Sequence, residues 1–220
     1  MGFLTGKTVI ITGAGRAVLS DGRCGSIGYG IATAYAKEGA NIVITGRNVK
    51  KLQAAKEELE AKYGVKVLTV QADIAAGNDN EAIAANVVKQ AVDTFGGIQV
   101  LINNAQASAS GAGLFGNYGQ CAYAAAKEGI RGLTRVAATE WGKDGINVNI
   151  VCPLAWTAQL ENFQKAYPDA FKANVKMPPM GHYGDAELEI GRVCVQLAMP
   201  DFKYMSGETL TLEGGMGLRP

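Results

Sequence analysis

Thr8-Val9-Ile10-Ile11-Thr12-Gly13-Ala14-Gly15, followed after a glycine-punctuated loop by Gly25-Ser26-Ile27-Gly28-Tyr29-Gly30, decides the fold. The first five residues form a β-branched run without polar alternation, which reads as a strand buried on both faces. Beyond the loop, Ile31, Ala34 and Tyr35 recur at helical spacing, and Gly39 stands where a C′ glycine belongs. The segment is therefore a strand, a glycine-rich turn and a helix.

The alternation continues outward from there. Asn41 to Thr45 reads as a second strand, and Asn48 as the cap of a helix that carries Leu52, Ala55 and Leu59 and stops at Gly64. A third strand is expected from Val65 to Asp73. A helix from about Asn80 to Phe95 presents Ile83, Val87 and Ala91 on one face, Gly96-Gly97 ends it, and Ile98 to Asn103 is a fourth strand. In the second half, Tyr123, Ala126, Ile130, Leu133, Ala137 and Trp141 step along one helix as an apolar stripe. Ile146 to Cys152 reads as a strand stopped by Pro153. Thr157 to Phe171 is helical in part and broken by Pro168, Asp185 caps a helix with Ile190, Val193 and Leu197, and Glu208 to Leu212 is the last strand. Val- and Ile-rich strands, each followed by a helix, predict an α/β fold: a single doubly wound parallel sheet with helices on both faces, forming one domain over residues 1–220.

Composition narrows the function classes. The 220 residues are 48% apolar and 19% charged, enough for a full core. A net charge of +1 gives no electrostatic footprint for a phosphate backbone, so nucleic acid is not an expected partner. No apolar run approaches the roughly 20 residues of a spanning helix, and the first residues lack the apolar stretch of a secretory signal. Cys24, Cys121, Cys152 and Cys194 are too scattered for a Cys-x-x-Cys motif and are expected to be reduced thiols in the cytoplasm. With His182 the single histidine, no metal site is expected.

A glycine-rich turn between strand and helix lets the backbone approach a pyrophosphate, and the helix N-terminus adds free N–H groups and partial positive charge. Gly13, Ser26, Ile27 and Gly28 are the candidates, although such a turn also occurs as a plain tight turn. The second strand ends in Thr45-Gly46-Arg47, where an acidic residue would bind a ribose 2′-hydroxyl and an arginine suits a 2′-phosphate. Arg47 therefore points to NADP, unless it is an ordinary solvated charge. Arg16 and Arg23 in the loop are secondary candidates for the same anion. Asp73 closes the third strand, where its carboxylate would accept from an adenine amino group or simply cap the next segment.

Tyr123 and Lys127 stand at i and i+4 on one helix. A tyrosine near its free pKa of about 10 is a poor base at neutral pH. A neighbouring ammonium stabilises the phenolate and makes the pair usable for proton transfer. Tyr123 also falls on the apolar stripe, where a packing role suffices. Ser110 lies 13 residues upstream of Tyr123, before Gly111-Ala112-Gly113, a setting equally typical of a loop.

Thr12-Gly13 with Ile27-Gly28, Asp73, Asn103-Asn104-Ala105, Ser110, Tyr123 with Lys127, and Gly207 through Glu213-Gly214-Gly215 occur together and in order. In that combination the chain resembles the short-chain dehydrogenase/reductase family over nearly its whole length. The resemblance implies a Rossmann-like fold and a nicotinamide cofactor held by Gly13, Arg16, Ser26, Ile27, Gly28, Arg47, Asp73, Ile74, Asn103, Ala105, Tyr123, Lys127, Pro153 and Leu154. It makes Tyr123 the general acid/base, Ser110 a donor to the reacting oxygen, and Lys127 a holder of the nicotinamide ribose that tunes Tyr123. Ser26 stands in place of the family's middle glycine, Gln106 in place of the glycine of Asn-Asn-Ala-Gly, and Leu154 in place of the glycine after Pro153. Gly25 to Gly30, Asn103 to Ser108 and Pro153-Leu154-Ala155 are most similar to the NADP-dependent hydroxysteroid dehydrogenases of that family. This implies reversible oxidation of a hydroxysteroid at the 12α-hydroxyl of a bile acid, by a homotetramer. A reductase of another bulky ketone, such as a 3-oxoacyl thioester, is the alternative enzyme.

One departure is physical. Only Gln106 to Ala109 separate Ala105 from Ser110, whereas the family places a helix and a parallel strand there. A crossover needs roughly 30 residues, so four cannot supply it. Either an internal segment of the molecule is omitted, as the intact motifs on both flanks favour, or a real deletion joins them and leaves a gap in the sheet. With a real deletion, a nucleotide-binding protein without catalysis becomes a further alternative. After Pro153, residues 154–184 bring Trp156, Leu160, Phe163, Tyr167 and Phe171. These read either as core packing or as an apolar cover over the substrate.

Overall fold

Parallel pairing organises the chain around its first strand. The computed structural model describes residues 2–73, 77–105 and 121–216, without the side chains of 121–123. The residues fall into two compact units. One takes the described residues up to 105 with Trp156–Asn174 and Asp185–Val195, and the other takes residues 121–155 with Val175–Gly184 and residues 196–216.

In the first unit, β1 (Thr8–Thr12) lies between β2 (Asn41–Gly46) and β4 (Val100–Ile102), and β3 (Val67–Gln71) flanks β2, giving the order β3-β2-β1-β4. All three pairings are parallel, with Val9 opposite both Ile42 and Val100. Every residue of β1 is buried, as expected for an uninterrupted β-branched run in the middle of a covered sheet. Helix α3 (Asn80–Phe95) sets Val87 and Ala91 on Ile10, Val43 and Val70 from three strands, with Ile83 and Phe95 at the margin. Helix α2 (Val49–Tyr63) buries Leu52, Ala55 and Leu59. Asn48 caps it by accepting from the Lys51 N–H at 3.0 Å, and Gly64 ends it at φ +66°.

Helix α1 (Ile27–Lys37) is buried along its whole length from Gly28 to Ala36. Its second covering layer is a π-helical turn, Ala186–Gly191, continued by α7 (Arg192–Gln196). The approach is backbone to backbone, since a Cβ on Gly30 would stand 2.3 Å from the Ala186 carbonyl oxygen. The Tyr35 hydroxyl donates to the Cys194 carbonyl at 2.8 Å, which satisfies a polar group inside this contact. Pro168 starts a helix rather than only breaking one. Here α5 (Ala158–Ala166) ends before Tyr167, and α6 (Pro168–Asn174) opens with proline at its first position, where the missing N–H is no loss.

In the second unit, α4 (Cys121–Trp141) precedes a parallel pair, β5 (Ile150–Pro153) with β6 (Thr209–Leu212). The expected strand start at Ile146 moves to Ile150. The Asn147 side-chain amide donates to the carbonyls of Lys203 and Met205 at 2.7 and 2.9 Å, and the Val148 N–H donates to the Ser206 hydroxyl at 3.1 Å rather than to a strand carbonyl. The apolar stripe expected to face a core also departs from expectation. Of the stripe Ala137 is buried, but Ile130, Leu133 and Trp141 are 48%, 68% and 47% exposed, and Arg131 and Thr134 are buried instead. Arg131 tolerates burial because its guanidinium donates to Thr209 Oγ1 at 2.8 Å and pairs with Glu128 at 3.2 Å.

The α/β parallel architecture with covering helices is thus as expected. Among the described residues the strands form a four-stranded sheet in the first unit and a two-stranded sheet in the second. Among the described residues no strand joins β4 to β5, and residues 106–120 lie outside them.

Candidate active site

The turn after β1 is fixed from both neighbouring strands. Gly13 and Ala14 donate their N–H groups to the Thr45 carbonyl at 2.8 and 3.2 Å. From the β4 side, the Thr12 hydroxyl oxygen accepts from the N–H groups of Asn104 and Ala105 at 3.0 and 2.9 Å. The Asn104 amide donates to the carbonyls of Thr12 and Gly13 at 2.9 and 3.3 Å. Gly13 itself has φ +70°, which an L side chain rarely adopts. The start of α1 presses against this turn. A Cβ on Gly28 would lie 2.5 Å from both the Gly13 carbonyl oxygen and the Asn104 amide nitrogen. Ser26 caps the helix by accepting from the Tyr29 N–H at 3.4 Å, which leaves Ile27 and Gly28 in the first turn. A locked glycine turn beneath the N-terminus of an eleven-residue helix could hold a pyrophosphate, and the residues there fit the phosphate part of a dinucleotide.

Arg47 follows β2 with an exposed side chain, while its carbonyl accepts from the Gln71 amide at 3.3 Å. Arg16 is engaged within the fold: its N–H donates to the Lys51 carbonyl at 2.9 Å and its Nε to the Glu58 carboxylate. The hydrogen bond to Glu58 raises the Arg16 pKa. Arg23 pairs with Asp21 at 2.7 Å and with Asp185 at 3.1 Å. Burial pushes Glu58 upward, but hydrogen bonds from Lys62, Arg16 and Tyr29 outweigh it and hold the carboxylate at about 2. Asp73 and Asn103 are exposed beyond β3 and β4, Ala105 is half-buried, and Ile74 lies outside the described residues.

In the second unit, Tyr123 and Lys127 stand one turn apart in α4. The Tyr123 side chain and Ser110 lie outside the described residues, and Lys127 is half-buried. Burial pushes the Cys152 thiol up, and the charges of Arg131 and Lys127 offset part of that rise. Pro153 closes β5. The Leu154 N–H then donates to the Leu212 carbonyl at 2.8 Å, and the Leu154 carbonyl accepts from Gly184 at 3.0 Å. His182 sits before the π-helical turn, its Nδ1 3.2 Å from the Met180 carbonyl oxygen. Among the described residues no cluster of His, Cys, Asp or Glu could hold a metal, and no helix is long and apolar enough to cross a membrane.

The span expected to cover a substrate divides between the units, with residues 156–174 in the first. There Trp156 meets Phe171 edge-on at 6.0 Å between ring centroids, and Phe163 lies 5.9 Å from Tyr167 and 6.1 Å from Phe171. Tyr167 is 63% exposed, so the cluster forms an apolar surface and not only a core.

Sequence reasoning missed Thr12 and Asn104 as builders of the turn. Their adjacency to Gly13 and to Ala105 was the available signal, but polar residues that lock carbonyls follow no period.

Parallel strands that feed a glycine turn beneath a capped helix are the geometry of a Rossmann-type dinucleotide-binding fold. The chain belongs to the short-chain dehydrogenase family: residues 7–111 match the family described as short chain dehydrogenase, and residues 106–217 match Enoyl-(Acyl carrier protein) reductase. It is 55% identical to the 12alpha-hydroxysteroid dehydrogenase of Clostridium sp., with all of both chains covered. That alignment spans 266 positions, 46 more than the 220 residues of this chain. It is 29% identical to the 3-oxoacyl-(acyl-carrier-protein) reductase of Staphylococcus epidermidis, covering 96% of this chain and 98% of the other. Among solved structures, L-sorbose reductase from Gluconobacter frateurii complexed with NADPH and L-sorbose superposes at TM-score 0.82, with 24% identity over 98% of each chain. Levodione reductase superposes at 0.80, with 25% identity over 96% of this chain and 97% of that one.

Proposed function

We propose that the protein is an NADP-dependent hydroxysteroid dehydrogenase that reversibly oxidises the 12α-hydroxyl of a bile acid. The observation that carries this reading is the 55% identity over the full length of the Clostridium dehydrogenase. The exposed guanidinium of Arg47 at the end of β2 supports the choice of NADP, because a 2′-phosphate takes charge-assisted bonds from arginine. The aromatic surface of Trp156, Phe163, Tyr167 and Phe171 supports residues 154–184 as the cover of a rigid apolar substrate. Gly13, Ser26, Ile27 and Gly28 would serve the pyrophosphate side of the cofactor, and Arg16 would join Arg47 at the 2′-phosphate. Asp73, Ile74, Asn103 and Ala105 would serve the adenosine and central part, and Pro153 and Leu154 the nicotinamide.

When bound, the cofactor supplies hydride transfer to and from the carbinol carbon. Tyr123 takes the hydroxyl proton during oxidation and returns it during reduction. Lys127, one turn on, stabilises the phenolate, and Ser110 donates to the reacting oxygen. The 46 extra positions of the alignment support a helix-and-strand crossover as the segment missing between Ala105 and Ser110. We infer that the catalytic form carries it. The exposed stripe of Ile130, Leu133 and Trp141 supports a homotetramer, and the free thiols of Cys24, Cys152 and Cys194 support a cytoplasmic setting.

The test compares the 220-residue chain with a version carrying the restored crossover, each assayed with 12α-hydroxy and 12-oxo bile acids and with a 3-oxoacyl thioester. The restored enzyme turns over the bile acids with NADP. Tyr123→Phe lowers that turnover by about 10²- to 10⁴-fold with unchanged NADPH affinity. Thioester reduction without bile-acid turnover transfers the assignment to the second reductase class. NADPH binding without hydride transfer in either form makes this a nucleotide-binding protein.

A further inference from the structure

The loop between Gly15 and Ser26 is not a passive excursion. It folds into a small hairpin: Val18 and Cys24 form an antiparallel bridge, the Leu19 N–H donates to the Arg23 carbonyl at 2.9 Å, and the Gly25 N–H donates to Ala17 at 2.8 Å. Leu19 is buried beneath it at 5% exposure. Both feet of the hairpin belong to the pyrophosphate cradle, because Gly15 precedes it and the cap Ser26 follows it.

Three residues of this hairpin reach outward, two of them to α5, which carries part of the apolar cover, and one to the π-helical turn. At the tip, Ser20 donates to the Glu161 carboxylate with its hydroxyl at 2.5 Å and with its backbone N–H at 3.2 Å. At the base, the Gly25 carbonyl accepts from the Ala158 N–H at 2.8 Å, satisfying one of the orphan donors of α5. On the side, Arg23 reaches Asp185, which caps the π-helical turn, at 3.1 Å. Glu161 also faces Lys165 at 3.3 Å, so the carboxylate is held between its own helix and the hairpin. The beginning of α5 therefore rests on the far side of the phosphate loop, and α5 carries Phe163 of the aromatic cluster.

We propose that the hairpin of residues 17–25 couples dinucleotide binding to the order of the cover segment 156–174, with Glu161 as the positioning residue. This rests on the dinucleotide reading given above. A cofactor that fixes Gly15 and Ser26 fixes both feet of the hairpin, and the tip then holds α5 through Glu161. A bulky substrate thereby meets a cover that is already ordered, and cofactor and substrate bind with positive coupling.

The experiment is hydrogen exchange of the α5 amides, 158–166, with and without saturating NADPH, alongside a fluorescence titration of NADPH itself. In the unaltered chain NADPH slows exchange across α5. In Glu161→Ala the titration still shows binding but the slowing is lost, and the KM for the bile acid in the crossover-restored enzyme rises at least about fivefold with little change in kcat. Glu161→Gln keeps an acceptor for Ser20 and restores the slowing in part. Ser20→Ala acts in the same direction as Glu161→Ala without altering α5. If NADPH slows α5 equally with and without Glu161, or if Glu161→Ala speeds exchange to the same extent in both states, Glu161 is a plain helix anchor and the proposal is wrong. If the titration shows no NADPH binding, the dinucleotide reading falls first.

Discussion

Two parts of the molecule are written in the same apolar alphabet and end in different states. Every residue of β1 is buried, and α1 is buried from Gly28 to Ala36, whereas no residue of β5 or β6 is fully buried and α4 leaves Leu133 68% exposed. The difference does not lie in propensity, since Ile150-Val151-Cys152 is as suited to a buried strand as Val9-Ile10-Ile11. It lies in neighbours. β1 has a parallel partner on each side, and α1 has a sheet below and the π-helical turn above. Among the described residues β5 has β6 alone. Apolar patterning records what a segment is built to bury against, and burial follows only where that partner is present.

The largest effect should come from supplying the partner. Inserting a helix-and-strand crossover between Ala105 and Ser110 should give β4 a further parallel neighbour. Bile-acid turnover should rise by orders of magnitude over the 220-residue chain, and the melting temperature should rise with it. High turnover by a 220-residue chain of verified mass would show that the crossover is dispensable and would dissolve the contrast between the two regions.

Core truncation measures the same contrast without chemistry. Leu52 on α2 is 2% exposed, so Leu52→Ala should destabilise the protein by about 2–5 kcal/mol. Leu133→Ala on α4 should stay within about 0.5 kcal/mol at dilutions where the chain is monomeric. Urea unfolding of both variants decides the matter, and comparable losses would mean that α4 is covered in solution.

A smaller effect is expected at Arg47. Arg47→Ala should weaken NADPH relative to NADH by about 1.5–3 kcal/mol, the range of a charge-assisted hydrogen bond. Titration with both nucleotides measures it, and an unchanged preference would make Arg47 a solvated charge.

The contrast also explains what was legible in the sequence. Caps and stops are local chemistry, so Asn48, Gly64 and Gly96 ended or began helices where their residue types indicate. The glycine turn after β1 was legible because glycines were forced by contact, as at Gly28. The buried face of α4 was not. Its apolar stripe and the face with Arg131 and Thr134 compete, and the winner depends on which element packs there. Thr12 with Asn104 and Arg16 with Glu58 were equally hidden, because each bond joins segments dozens of residues apart.

The smallest expected effect separates the two regions by charge. Glu58 ties the phosphate loop to α2 by accepting from Arg16 and pairing with Lys62. Its folded pKa of about 2 lies below the ordinary glutamate value of 4.5. A carboxylate depressed on folding contributes stability that is fully present above its unfolded pKa and is lost as pH falls through the folded value. The stability of the unaltered chain should therefore decline between about pH 5 and pH 2 more steeply than that of Glu58→Gln, which has no proton to gain there. Urea midpoints at pH 6 and pH 3 give the comparison. Parallel declines would mean that Arg16 and Lys62 are solvated rather than bound to Glu58, and that the loop after β1 is held to α2 by the backbone bond from Arg16 to Lys51.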